Sequence, residues 1–125
     1  MASIFYIPTV NDWESRLCTL LEAALSHKKN EICRSFEDFS RRLHKPFSNV
    51  RVAVLVAANS EEITRILSLR ELLADVKMIF ILADRDNETL MKVHSLRPRY
   101  VTWMDCDLSE LANVFKRMVG LYDVK

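Results

Sequence analysis

Short apolar runs rich in β-branched residues alternate along the chain with amphipathic segments of helical period, and this alternation narrows the possible folds more than any other feature. The clearest run is RVAVLVA, Arg51 to Ala57, which is apolar at every position after the first. A strand with one face in water would alternate between polar and apolar residues. A continuous apolar run belongs in a parallel sheet covered on both faces. MIFIL (Met78 to Leu82), SIFYI (Ser3 to Ile7) and YVTW (Tyr100 to Trp103) read the same way. EICR, Glu31 to Arg34, is the weakest run and fits a short edge strand.

Helical signals fill the intervals. Asn11 with Glu14 has capping-box spacing ahead of a stripe of Trp13, Leu17, Leu20, Leu21, Ala24 and Leu25. Ser35 opens a second helix with Phe36, Phe39 and Leu43 on its apolar face, ended by Pro46. Asn59 and Glu62 form another box before Ile63, Ile66, Leu67 and Leu73. A loop from Ala83 to Asn87 precedes a helix carrying Leu90, Val93 and Leu96, which Pro98 breaks. Asp107, with Glu110, starts the last helix, whose face is Leu108, Leu111, Val114, Phe115, Met118 and Tyr122. Five strands alternating with five helices, joined by right-handed crossovers, predict an α/β chain with a flavodoxin-like, doubly wound parallel sheet in the order 2-1-3-4-5, one domain over residues 1–125. Any site on such a sheet lies beyond the carboxyl ends of its strands.

Several function classes are excluded or disfavoured. The chain has one glycine, Gly120, so neither a P-loop nor a GxGxxG loop, whose backbones approach phosphate through glycine, can be built. No apolar run reaches the about 18 residues of a membrane helix, and Met1-Ala2-Ser3 has no basic region of a secretory signal, so a cytoplasmic chain away from membranes is expected. Cys18, Cys33 and Cys106 form no CxxC pair and are expected to be reduced thiols. Cys106 precedes the Asp107 cap but has no base near it in sequence, and His27, His44 and His94 are scattered over helical segments. No catalytic residue, cofactor site or metal site emerges, and an enzyme is not expected. A net charge of +1 gives no global attraction to polyanions.

The second half carries a family resemblance. In MIFILADRDNETLMKVHSLRPRYVTWMDCDLSELANV, from Met78 to Val114, a buried strand, a loop and a helix precede a strand with an aromatic, Tyr100, at its head. The next helix is entered through Asp107-Leu108-Ser109-Glu110-Leu111. With the element order and length, this resembles a response-regulator receiver domain of the CheY-like superfamily. The resemblance implies phosphoryl transfer to an aspartate that ends the third strand. It also implies two acidic residues after the first strand for Mg²⁺, a hydroxyl ending the fourth and a lysine ending the fifth. This chain departs at each place. Pro8 and Thr9 replace the acidic pair, the third strand ends Val56-Ala57-Ala58, Ala83 replaces the hydroxyl, and Trp103-Met104 replaces Lys-Pro. A degenerate pocket of Pro8, Thr9, Ala57, Ala83 and Trp103 is expected, with neither Mg²⁺ nor phosphate bound as in a receiver.

The aspartates near that edge, Asp12, Asp84, Asp86 and Asp105, sit where loops and helix caps favour aspartate anyway. Trp103 is expected to fill the vacated pocket rather than form an exposed patch, and Tyr100 to be an ordinary strand tyrosine. The expected activity is that of a phosphorylation-independent signalling module that binds a protein partner or forms a homodimer. The resemblance places the partner face at Lys92, Tyr100, Met104, Lys116 and Arg117. Two other readings stay open. One is a small-ligand or enzymatic site in the carboxyl-edge crevice. The other is a nucleic-acid accessory using the basic segment from Lys28 to Arg51, where seven basic residues (Lys28, Lys29, Arg34, Arg41, Arg42, Lys45, Arg51) face three acidic ones (Glu31, Glu37, Asp38). That segment carries no recognition motif, so a solvated face is expected and nucleic acid is not.

Overall fold

Five parallel strands form one sheet in the order β2-β1-β3-β4-β5, as the alternation predicts. The computed structural model describes residues 2–7, 14–17, 19, 29–45, 50–57, 60–83, 86–104 and 107–120. The strands are β1 (Ala2–Tyr6), β2 (Lys29–Cys33), β3 (Val50–Ala57), β4 (Lys77–Leu82) and β5 (Tyr100–Trp103). Residues 14–17 and 19 are helical and belong to α1. The remaining helices are α2 (Phe36–Leu43), α3 (Ser60–Leu67), α4 (Asn87–Ser95) and α5 (Leu108–Gly120).

The central strands are apolar along most of their length because both faces of the sheet are covered, with Arg51 and Lys77 at the amino ends of β3 and β4. Residues 52–57 of β3 are all buried. Alternate strand residues divide between two cores. Ile4, Tyr6, Leu55, Phe80 and Leu82 meet Phe39 of α2, Ile63 and Ile66 of α3, and Val93 of α4. Phe5, Val54, Val56 and Ile81 meet Leu17 of α1 and Leu111, Phe115 and Met118 of α5 on the other side. There Phe5 packs edge-to-face on Phe115 with ring centroids 5.4 Å apart. The helices are thus wound on both faces, α2, α3 and α4 on one and α1 and α5 on the other.

Some boundaries differ from expectation. β2 runs Lys29–Cys33 rather than from Glu31 to Arg34, because its extent is set by pairing with β1, from Ala2↔Lys29 to Tyr6↔Cys33. An edge strand accepts polar residues, so sequence polarity marks its start poorly. Arg34 leaves the strand and donates to the Ile7 carbonyl at 3.4 Å. The third helix stops at Leu67, short of Leu73. Beyond it the backbone tightens into three-residue bonds, Leu69 N–H to the Ile66 carbonyl at 2.9 Å and Arg70 N–H to the Leu67 carbonyl at 3.1 Å. The spacing Ile63, Ile66, Leu69 suits that tighter winding, and Leu69 and Leu73 are buried from the turn. Ser35 caps α2 as expected, its Oγ accepting from the Asp38 amide at 3.1 Å. The Asp107 carboxylate accepts the Ser109 amide at 2.9 Å at the start of α5. Asn11 and Asn59, the expected caps of the first and third helices, and Pro46, Leu20, Leu21, Ala24, Leu25 and Tyr122 lie outside the described residues.

Candidate functional site

The carboxyl ends of β3, β4 and β5 lie side by side, so the positions that matter in a receiver are brought together. Register places Ala57 beside Leu82 and Leu82 beside Trp103. The ladder continues one step past the strands. The Ala83 amide donates to the Ala57 carbonyl at 3.2 Å, and the Met104 amide to the Leu82 carbonyl at 3.0 Å. Ala57 is buried, Ala83 is exposed and Trp103 is partly buried, its ring packed against the core on the α2–α4 side. Pro8 and Thr9, the remaining members of the expected pocket, lie outside the described residues, as do Asp12, Asp84 and Asp105.

A hard divalent cation takes oxygen ligands, and the ends of β3, β4 and β5 present two methyl groups and an indole. Among the described residues no group of three or more histidine, cysteine, aspartate or glutamate side chains could hold a metal ion.

Strand alternation separates Trp103 from Met104. Trp103 packs on the core shared with α2, α3 and α4, whereas Met104 and Tyr100 pack, partly buried, against the core shared with α1 and α5. Tyr100 and Met104 therefore share the face on which α5 lies, and Lys116 and Arg117 of α5 are exposed. Lys92 is set apart from these four. Its ammonium donates to Thr64 Oγ1 of α3 at 3.0 Å and pairs with Glu88 at 3.1 Å, tying α4 to α3. Met91, next to it in α4, is 74% exposed. Met91 falls off the Leu90, Val93, Leu96 stripe, and that offset is the sequence signal that could have found it.

A second polar feature at this edge went unread in the sequence. Tyr6, at the end of β1, is buried, stacks on Phe39 with centroids 5.1 Å apart, and donates its hydroxyl to Glu62 Oε2 at 2.9 Å. Glu62 thus reaches across to β1, and Asn59, its expected capping-box partner, lies outside the described residues. Burial first, then the hydrogen bond and charge of Glu62, raises the phenol pKa well above its ordinary value, so it stays a donor. Nearby, Ser35, Phe36, Glu37 and Arg65 line a hollow of about 410 Å³ between the start of α2 and α3. The sequence signal was a tyrosine near the carboxyl end of the strand run SIFYI.

The basic segment is partly neutralised. Arg41 pairs with Asp38 at 3.2 Å, Arg42 pairs with Glu31, and Arg34 is engaged by the Ile7 carbonyl. A phosphate backbone would have to compete with these partners.

No protein-family model and no curated protein sequence matches the chain. Solved structures do. The signal receiver domain of a DNA-binding response regulator from Colwellia psychrerythraea superposes with a TM-score of 0.71 at 16% identity, covering 96% of this chain and 98% of that one. A CheY-like receiver domain protein from Methanospirillum hungatei gives 0.72 at 10% identity, with 98% and 95% covered. A putative pilus assembly-related protein from Burkholderia pseudomallei gives 0.69 at 15% identity, with 96% and 90% covered. At such identities the likeness speaks for architecture, and the chain has the CheY-like receiver fold.

Proposed function

We propose that the chain is a receiver-like signalling module that works without phosphorylation, through contact with another protein. The observation that carries this reading is the carboxyl edge itself, where Ala57, Ala83 and Trp103 stand together at the strand ends. A methyl group is neither a nucleophile nor a metal ligand, and an indole cannot replace an ammonium that holds phosphoryl oxygens. A scaffold kept while its chemistry is replaced by apolar groups has its surfaces left to act with. On the α5 side those are Tyr100, Met104, Lys116 and Arg117, with exposed Met91 on α4 beyond them. Aromatic and methionine side chains are frequent in interface cores. The likeness to response-regulator receiver domains supports a receiver-like signalling module. Incubation with acetyl phosphate and Mg²⁺ followed by intact-mass measurement tests the reading. The mass should not change, and one added phosphoryl group on an aspartate would refute it.

A further inference from the structure

The opposite, amino-terminal edge of the sheet carries two adjoining hollows that the receiver reading does not use. Both lie between the turn after α3 and the end of α4, and they share Ala74, Val76 and Arg97 in their walls. The first, of about 360 Å³, has an apolar floor of Leu73, Met78 and Leu96, all buried. The second, of about 350 Å³, is edged by Lys77, Arg97 and Arg99, with Asp75. Arg70 and Glu71 rim the first. Four cations therefore face two anions around a two-part depression, on a chain whose net charge is only +1.

The backbone that carries two of these arginines is fixed. Arg97 ends α4 in the left-handed region with φ of 55°, where glycine is the usual residue. Its amide donates to the His94 carbonyl at 3.0 Å, and the Arg99 amide donates to the Met78 carbonyl at 2.9 Å. The ion pairs of Arg41, Arg42 and Lys92 lie elsewhere. The guanidinium groups of Arg70, Arg97 and Arg99 have no acidic partner among the described residues.

From this juxtaposition we infer that the amino-terminal edge is a docking site for a short acidic peptide segment of a partner protein, anchored by one apolar side chain. The anchor enters the hollow floored by Leu73, Met78 and Leu96, and neighbouring carboxylates meet Arg97 and Arg99. In an extended peptide, adjacent residues lie within about 3.5 Å of one another along the chain, so one short segment spans both hollows. Both are open to solvent, which would leave a small molecule largely wet, whereas a peptide gains contact along the rim. A nucleic-acid backbone would set phosphates against Glu71 and Asp75 and would find no aromatic platform here. The site lies across the molecule from the carboxyl edge and stands or falls independently of the phosphorylation reading.

The probe is the pentapeptide DDLEE, titrated into isotopically labelled protein while backbone amide shifts are followed, with DDAEE and KKLKK as controls. DDLEE should shift amides in 70–78 and 95–99 saturably, DDAEE should bind more weakly, and KKLKK should not bind. Arg97→Gly should weaken DDLEE by about fivefold or more, the effect of one lost charge-assisted contact. The same variant should unfold at higher denaturant, since glycine suits the left-handed position, so weaker binding could not be blamed on misfolding. Arg99→Gln, with its backbone bond intact, should weaken binding in the same direction. Shifts confined to other regions, equal affinity for DDAEE, or unchanged binding by both variants would overturn the inference.

Discussion

Trp103 stands at the carboxyl end of β5, where the resemblance to a receiver leads one to expect it to fill a vacated pocket. Its ring is partly buried against the α2–α4 core, beside Leu82. Trp103→Ala should then cost about 2 kcal/mol in a denaturant titration, less than the ~3–5 kcal/mol of a fully buried aromatic. A loss within ~0.5 kcal/mol would mean that the ring contributes no packing. Cys33 makes a second prediction. Burial first, then the charges of Glu31 and Asp38 against the opposing effect of Arg42, pushes its thiol from the ordinary 9.0 up to about 11. The folded chain keeps a proton that the unfolded chain releases, so stability is whole below pH 9 and falls as the pH rises from 9 towards 11. The raised phenol of Tyr6 adds a fall in the same direction above its ordinary value of 10. Urea midpoints measured across that window should decline, and Cys33→Ala should remove the part that begins at pH 9. An unchanged slope in that variant would contradict the assignment.

Among the elements, those whose signal is local were legible. The sequence marks β5 as Tyr100 to Trp103, the span it has, because Pro98 before it and the Asp107 entry after it bracket the strand. The Ser35 cap was legible for the same reason, since a cap involves only a few neighbouring residues. Ser35→Ala should cost about 1 kcal/mol by removing the acceptor for the Asp38 amide. Thermal unfolding of that variant checks it, and no change would mean that the cap adds nothing. Elements set by distant partners were read less well. β2 takes its register from β1, and the end of α3 depends on how Leu69 and Leu73 reach the core.

At the scale of the molecule, the sheet order was legible because continuous apolar strands require cover on both faces and right-handed crossovers leave few ways to supply it. Of the candidate site, Ala57 and Ala83 were legible because they can be placed by counting from strand ends. The Tyr6–Glu62 bond joins residues 56 positions apart, and the hollows of the amino edge are enclosed by segments distant in sequence. No local spacing encodes them. The proposed function requires that the receiver fold here carry no phosphoryl switch. Adding Mg²⁺ and beryllofluoride, which mimics an acyl phosphate, while recording the amide spectrum tests it most directly. No saturable shift is expected at Ala57, Ala83, Tyr100 or Trp103. Saturable shifts spreading from the ends of β3 and β4 into α4 and β5 would contradict it.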